Sequence, residues 1–434
     1  MAKFCNNLKR VIRRDTMLTK MVTGFVAAAV LTVSAHAAPA APSEIKIGTL
    51  YASSGAFAAI SMPVYSGLKF WVEQKNAEGG VFVKPYNKKI PIKLVAYDDQ
   101  SNTATAATLY NQLITQDKVD LLVADSGSVL TSVAVPIARE HKMLLIDQTG
   151  TGASFFTKDN PYIVLTADPV SSIWPKYVAD FLTKDGAKMG VKRVALLYAT
   201  NDFTGTQATA VRNFIKAAGS QVKIVYDQGV PTSTTNYTVL INNIKATNPD
   251  AVVELGYPNN DIAFLRNLQD SGVKFNFVFN IYSGLETSHL LETAGAKAMQ
   301  YTYTYVTSSV LHYKPEFGMG LDDYRAAWEK KNAGGKITFG FNAVAGYTTG
   351  LVLENALAKT PSMDQLALRK TIGDFSGKLK TLDGTFQIDE AGAQIGEITP
   401  LGQVIPDGKG GVKFTVVYPP EVATGKPIYP APQQ

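Results

Sequence analysis

The sequence predicts an α/β protein made of two doubly wound lobes, and three observations carry that prediction. From Ile45 onward, short runs of branched apolar residues each end in a cluster of small polar residues and lead into a helical stretch. That is the β-loop-α rhythm of a parallel sheet covered on both faces. The rhythm closes near Gly152 and starts again at Ile173. The chain has 434 residues, 46% hydrophobic and 18% charged, a length and balance suited to two cores in a soluble globular protein.

In the first half, the strand starting at Ile45 runs into the loop Ala52-Ser53-Ser54-Gly55. A helix is expected over 65–76, where Leu68, Phe70, Trp71 and Val72 have helical spacing and Gly79-Gly80 stops it. A strand over 90–98, a helix over 103–116 and a buried strand over 119–123 follow, the last closing in Asp125-Ser126-Gly127-Ser128. After a further helix, a strand over 143–146 ends in Thr149-Gly150-Thr151-Gly152. In the second half, helices over 173–182, 206–218, 237–246 and 261–271 alternate with strands over 194–198, 222–226, 251–255 and 275–279. Beyond them, 301–306 reads as a strand, 320–331 and 346–358 as long helices, and 377–389 as a hairpin around Asp383-Gly384. From Pro400 the chain is rich in Pro and Gly and reads as loop, with one strand over 412–418.

The N-terminus reads as a cleavable export signal. Lys3, Lys9, Arg10, Arg13, Arg14 and Lys20 precede an apolar run over 21–33, and Ala35-His36-Ala37 supplies a small-x-small cleavage site. Met17 is an alternative start, because 17–37 forms a compact signal by itself. Of 42 Lys/Arg and 36 Asp/Glu, six and one fall in residues 1–37, which leaves 36 and 35 and nearly cancels the formal charge of +6. No basic surface for nucleic acid survives this subtraction. The single cysteine, Cys5, lies in the leader, so the mature chain is expected to have no disulfide. With no further apolar run of membrane length, the mature protein is expected to be soluble in a bacterial periplasm.

The catalytic inventory is thin. His141, His289 and His312 stand alone, without an H-E-x-x-H pattern, and no metal site is implied. There is no G-x-S-x-G elbow or phosphate-binding loop, and Gly150-Thr151-Gly152 has Phe155 where a dinucleotide fingerprint needs its third glycine, so no cofactor is expected. The acid pair Asp98-Asp99 at a strand end suits cap and turn hydrogen bonds better than catalysis. What the strand ends do offer is hydroxyls, on Ser53, Ser54, Ser126, Ser128, Thr149 and Thr151, next to helix N-termini whose unpaired N–H groups favour an anion. Aromatic residues stand at the corresponding positions of the second half, Phe203, Tyr257 and Tyr282. A cleft that grips a small anionic group on one wall and packs apolar surface on the other is expected.

Ile45-Lys46-Ile47-Gly48, Ser54-Gly55, Asn76-Ala77-Glu78-Gly79-Gly80-Val81 and Tyr97-Asp98-Asp99-Gln100-Ser101 together resemble the leading signatures of type I periplasmic solute-binding proteins, above all the branched-chain amino-acid receptors of ABC importers. The likeness runs from Glu44 to Asp389. It implies two lobes joined by three hinge crossings, closing on a small ligand and presenting it to a membrane permease. The implied carboxylate grip falls at or next to Ser128, with Thr149 and Thr151 as partners, and the second-lobe aromatics fall on Phe203, where relatives often have Tyr, and on Gly256-Tyr257. Two departures stand out. The first loop has Phe57 and Ile60 where relatives often place a Tyr, and Asn280-Ile281-Tyr282-Ser283-Gly284 lacks the acid that holds a ligand's ammonium group, the next acid being Glu286.

The resemblance divides the chain into a leader over 1–38, a linker over 39–44, a first lobe of 45–165 and 306–381, a second of 166–305 and 382–420, and a tail over 421–434. Hinges are expected near 165–168, 302–307 and 382–384. The expected ligand-binding set is Ser54, Phe57, Ser128, Thr149, Thr151, Phe203, Tyr257 and Tyr282, with no catalytic residue and the protein a monomer. Because of the missing acid, an apolar or aromatic carboxylate stands as an alternative to an amino acid. A secreted hydrolase using the same cleft, and a sensor that signals to a membrane receptor, are the rival readings.

Overall fold

The computed structural model describes residues 40–432 apart from 334 and 336, so the expected leader, its cleavage site and Cys5 lie outside the described residues. Strand β1 (Ile45–Tyr51) alternates its side chains between two cores: Ile45 and Ile47 on one face, Leu50 on the other. A short hairpin, β2 (Val81–Val83) and β3 (Lys88–Ile90), precedes β4 (Ile92–Asp98), and β5 (Leu121–Val123), β6 (Leu145–Asp147) and β7 (Ile163–Leu165) complete the half. The strand expected over 90–98 is broken at Pro91: Ile90 turns back to pair with Val81, while Ile92 pairs with Ile45. The sheet is parallel in the order β4-β1-β5-β6-β7, buried on both faces.

The second half repeats the plan with β8 (Arg193–Ala199), β9 (Lys223–Val230), β10 (Ala251–Leu255), β11 (Val278–Phe279) and β12 (Tyr303–Tyr305). They lie in the order β9-β8-β10-β11-β12 within their sheet, so each lobe reverses direction between its first and third strands. The carboxyl ends at such a reversal form the crevice where open α/β sheets bind ligands.

After β12 the chain returns to the first lobe with the helix Phe341–Lys359, buried along nearly its whole length against the helix Ala58–Ala77. Both helices start earlier than their spacing suggested. The first runs through Pro63 because Ile60 and Val64 are buried, and the second begins at Phe341, next to Gly340. The hairpin β13 (Leu379–Thr381) and β14 (Gly384–Phe386) then turns at Asp383-Gly384, where Gly384 has φ 120°.

The third crossing, expected near Leu382, lies further on. Leu379, Leu382, Phe386 and Ile388 all pack into the first-lobe core, and Leu165 N donates to Gly392 O at 2.9 Å. Burial of these apolar residues keeps 382–394 with the first lobe, and the passage to the second sheet falls between Gln394 and β15 (Leu401–Pro406). That strand replaces part of the expected loop, its pattern hidden by Gly402 and Pro406; it is held by antiparallel pairing to β12 and to β16 (Val412–Tyr418). The tail is pinned as well, Ile428 N donating to Gln403 Oε1 at 2.8 Å. No described helix is long and apolar enough to cross a membrane.

Candidate functional site

The candidate site is a cavity at the carboxyl ends of the strands, where the two lobes face each other. After β5, Gly127 turns the chain into the helix Ser128–Glu140 with φ 84°, a conformation that glycine takes readily. A Cβ there would stand 3.1 Å from Ile60 Cδ1 and 3.4 Å from the Tyr257 hydroxyl, so the backbone is in close reach of both walls. After β6, Thr149 Oγ1 accepts from Gly127 N at 3.0 Å and pairs with Ser126 Oγ at 3.0 Å. Ser128 Oγ accepts from Gly152 N at 3.0 Å, and Asp147 Oδ1 accepts from Gly150 N at 2.8 Å. Burial raises the Asp147 carboxyl to about 8.

The opposite wall is aromatic. Asn201 caps the helix Asp202–Ala217 by accepting from Phe203 N and Thr204 N, which sets Phe203 at the cleft. Tyr257 precedes the helix Pro258–Ser271, and Asp261 of that helix accepts from Tyr282 N at 2.6 Å. Phe57, Phe203 and Tyr282 surround the Tyr257 ring, with centroids at 5.1, 5.4 and 6.4 Å. Trp174 meets Phe203 at 5.3 Å and Phe341 at 6.4 Å. The buried Tyr257 hydroxyl faces Ser128 Oγ and the N–H groups of Ser128 and Val129 without closing a hydrogen bond on any of them.

The cavity measures about 20 Å³ and is lined by both lobes. That is room for about one water molecule, so the walls are in mutual contact. Of the residues expected from the sequence, Thr149, Phe203, Tyr257 and Tyr282 line it. Phe57 packs edge-on against Tyr257 and borders a separate, shallower groove together with Ser128. Thr151 lies behind the wall, its Oγ1 paired with Ser171 Oγ at 2.7 Å. Ser54 stands apart: it is exposed, and only its carbonyl is engaged, accepting from Ser101 Oγ at 2.6 Å. Its expected place in the anion grip is therefore corrected, since the β1 loop bends toward Ser101 and away from the cavity. Asp98 and Asp99 serve the loop, accepting from Ser53 N, Gln100 N and Ser101 N.

Lining residues outside the expected set include Asp168, Trp174, Leu285, Phe341 and Asn342. Asp168 follows β7 and could have been found by the strand-end rule that found Thr149. Phe341 and Asn342 are reached only by extending the last long helix to its true start. Glu286 is buried behind Asn342, which donates Nδ2 to its Oε1, and burial raises the carboxyl to about 8. None of the described histidines lines the cavity.

The paired Thr151 predicts a structural effect. Thr151→Val should destabilise the fold by about 1 to 2 kcal/mol, because it leaves the buried Ser171 hydroxyl unpaired. Urea unfolding measures this, and an unchanged midpoint would assign the Thr151 hydroxyl another role.

A family model described as periplasmic binding protein matches residues 44–409. Leu/Ile/Val-binding protein homolog 7 of Brucella suis is 23% identical over 410 residues, covering 92% of this chain and 97% of that protein. Among solved structures, the branched-chain amino acid transporter substrate-binding protein LivJ from Streptococcus pneumoniae, in complex with isoleucine, superposes with a TM-score of 0.69 at 20% identity, covering 87% of this chain and all (100%) of that one. An ABC transporter solute-binding protein from R. palustris, in complex with benzoate, gives 0.69 at 17% identity, covering 86% and 96%.

Proposed function

The chain belongs to the periplasmic binding protein family, and from that premise we propose that it captures a small carboxylate-bearing molecule between its lobes in the periplasm and delivers it, as a monomer, to an ABC-type membrane permease. The observation that carries this reading is the Tyr257 hydroxyl, buried from the second lobe against the N-terminus of the first-lobe helix Ser128–Glu140. A helix N-terminus with free N–H groups suits an anion better than a neutral phenol. A ligand carboxylate takes that position, Ser128, Thr149 and the Gly127 turn form its cradle, and the Tyr257 ring swings out to cover the apolar part.

With about 20 Å³ between the walls, entry requires the lobes to part. The three passages after β7, after β12 and before β15 carry that hinge motion. No step in this cycle needs bond chemistry, which separates the reading from the hydrolase rival. A second ligand class, an aromatic carboxylate, is favoured by the wall of Trp174, Phe203, Tyr257, Tyr282 and Phe341.

A thermal-shift panel of leucine, phenylalanine, benzoate and phenylacetate tests the reading. At least one is expected to raise the melting temperature in proportion to the logarithm of its concentration. No shift across amino acids and small carboxylates would defeat the proposal.

A further inference from the structure

Outside the cavity, hydrogen bonds join the rims of the cleft. Ser154 Oγ of the first lobe donates to Asp202 Oδ2 of the second at 2.6 Å, and Asn259 Nδ2 of the second lobe donates to Ala56 O of the first at 3.3 Å. Asp202, with Thr200 and Asn201, borders two separate grooves of about 810 and 490 Å³, so the bond to Ser154 crosses the seam between two openings. Gly152 shows how closely the rims approach at this crossing. Its φ of −55° and ψ of 124° lie in extended backbone open to other residues, so its conformation does not call for glycine. Yet a Cβ there would stand 2.8 Å from Asp202 Cγ and 3.0 Å from Asp202 Cβ, and nearer still to Oδ2. These three nearest atoms all belong to one side chain of the opposite lobe. The room that glycine leaves is room for this carboxylate. Neither Gly152, Ser154 nor Asp202 lines the cavity.

We propose that Asp202 is a positioning residue for capture: its carboxylate, seated over Gly152 and bound by Ser154, holds the rims together without touching the ligand. What this does for a captured molecule rests on the carboxylate-binding reading above. Hydrogen bonds to a carboxylate are stronger than those between neutral groups, and this one is made only when the rims meet. It lowers the free energy of the closed form whatever the cavity holds. The protein alone therefore divides between closed and open forms, and a bound ligand leaves only after this bond breaks.

Distances between the lobes test this without any ligand. Cys5 is the only cysteine, so the chain from residue 39 onward takes spin labels at Thr108→Cys and Lys216→Cys alone, two exposed sites on helices of opposite lobes. Pulsed electron double resonance on the protein alone should give a shorter and a longer distance, for the closed and the open form. Ser154→Ala, Asp202→Ala and Gly152→Ala should each lower the closed-to-open ratio about 10-fold. Asp202→Asn keeps an acceptor oxygen and should lower it less. Ser154→Ala combined with Asp202→Ala should do no more than either alone, because both remove the same bond. Circular-dichroism melts confirm that the variants are folded, and Ser154→Ala, at an exposed position, keeps the test independent of the helix that Asp202 begins. The proposal is overturned if Ser154→Ala and Gly152→Ala leave the wild-type distances unchanged, or if the effects of Ser154→Ala and Asp202→Ala add. Distances that respond as expected uphold the closure role even if no acid in the thermal-shift panel binds, a result that would defeat the functional reading alone.

Discussion

Gly346→Ala is expected to cost about 2 to 4 kcal/mol of folding stability, and Gly346→Val more than about 4 kcal/mol. The helices Ala58–Ala77 and Phe341–Lys359 cross backbone to backbone. A Cβ on Gly346 would lie 2.0 Å from Val64 O and 2.8 Å from Leu68 N, and one on Gly67 would lie 2.2 Å from Ala343 O. Main-chain atoms of a hydrogen-bonded helix cannot rotate away as a long side chain does, so the two helices must separate. One turn further on, a Cβ on Gly350 would meet the Trp71 ring at 2.3 Å, which closes the crossing against a compensating slide. The effect reaches the site, because Ile60 and Phe341, from the starts of the same two helices, both line the cavity. Gly205→Ala is the internal control. Gly205 is a helical glycine with open space around its would-be Cβ, and alanine there should be neutral or stabilising by up to about 1 kcal/mol. Urea unfolding of the three variants measures the contrast, and equal midpoints for Gly346→Ala and Gly205→Ala would refute the tight crossing.

Stability is also expected to fall by several kcal/mol as the pH rises from about 5 to 8. Asp147 is raised from 3.8 to about 8 and Glu286 from 4.5 to about 8, each chiefly by burial. Asp168 and Glu397 are raised in the same direction by burial and by neighbouring acids. Asp99, Asp125, Glu254 and Asp261 are raised too, chiefly by burial, and within each pair the neighbouring carboxyl pushes Asp125 and Glu254 further up while its hydrogen bond holds Asp99 and Asp261 lower. For each of these groups the folded state keeps a proton that the unfolded chain releases above its ordinary pKa. The unfolded state therefore binds fewer protons through this window, and stability declines with pH until the folded pKa is passed. Carboxyls shifted the other way, such as Asp98 and Asp180, lose their contribution only below the ordinary carboxylate range and do not oppose the trend. Asp147→Asn should shrink the difference between urea midpoints at pH 5 and pH 8. Its carboxamide oxygen still accepts from Gly150 N, and nothing remains to ionise. A wild-type midpoint independent of pH across that range would show that these carboxyls are solvated in the folded protein.

Much of this architecture was legible from local pattern. Alternating apolar residues such as Ile45, Ile47 and Leu50 show a strand buried on both faces, and small polar clusters mark the carboxyl ends where the cavity lies. The same strand-end rule led to Thr149, Phe203, Tyr257 and Tyr282, all of which line the cavity. It misplaced Ser54, because a loop's position at a strand end does not state which way the loop bends, and here the Ser101 hydrogen bond turns it outward. Leu401–Pro406 was missed since its hydrogen-bond partners β12 and β16 supply what its own sequence lacks.

The sequence by itself determined the α/β class, the two repeated halves, and the residue types that face each other at the strand ends, because these depend on periodicity within a few residues. Only the tertiary structure decided that 382–394 stays with the first lobe, that Thr151 is bound to Ser171 behind the wall, and that Asp168, Phe341 and Asn342 meet at the cavity. Those outcomes depend on which apolar side chains find a core and which polar atoms find a partner, from 20 residues away for Thr151 and Ser171 to well over a hundred for Asp168 and Asn342. Asp168 shows the difference most clearly. In the sequence it is an acid before a proline, and in the folded protein it is a buried carboxylate at the cavity with an unpaired oxygen.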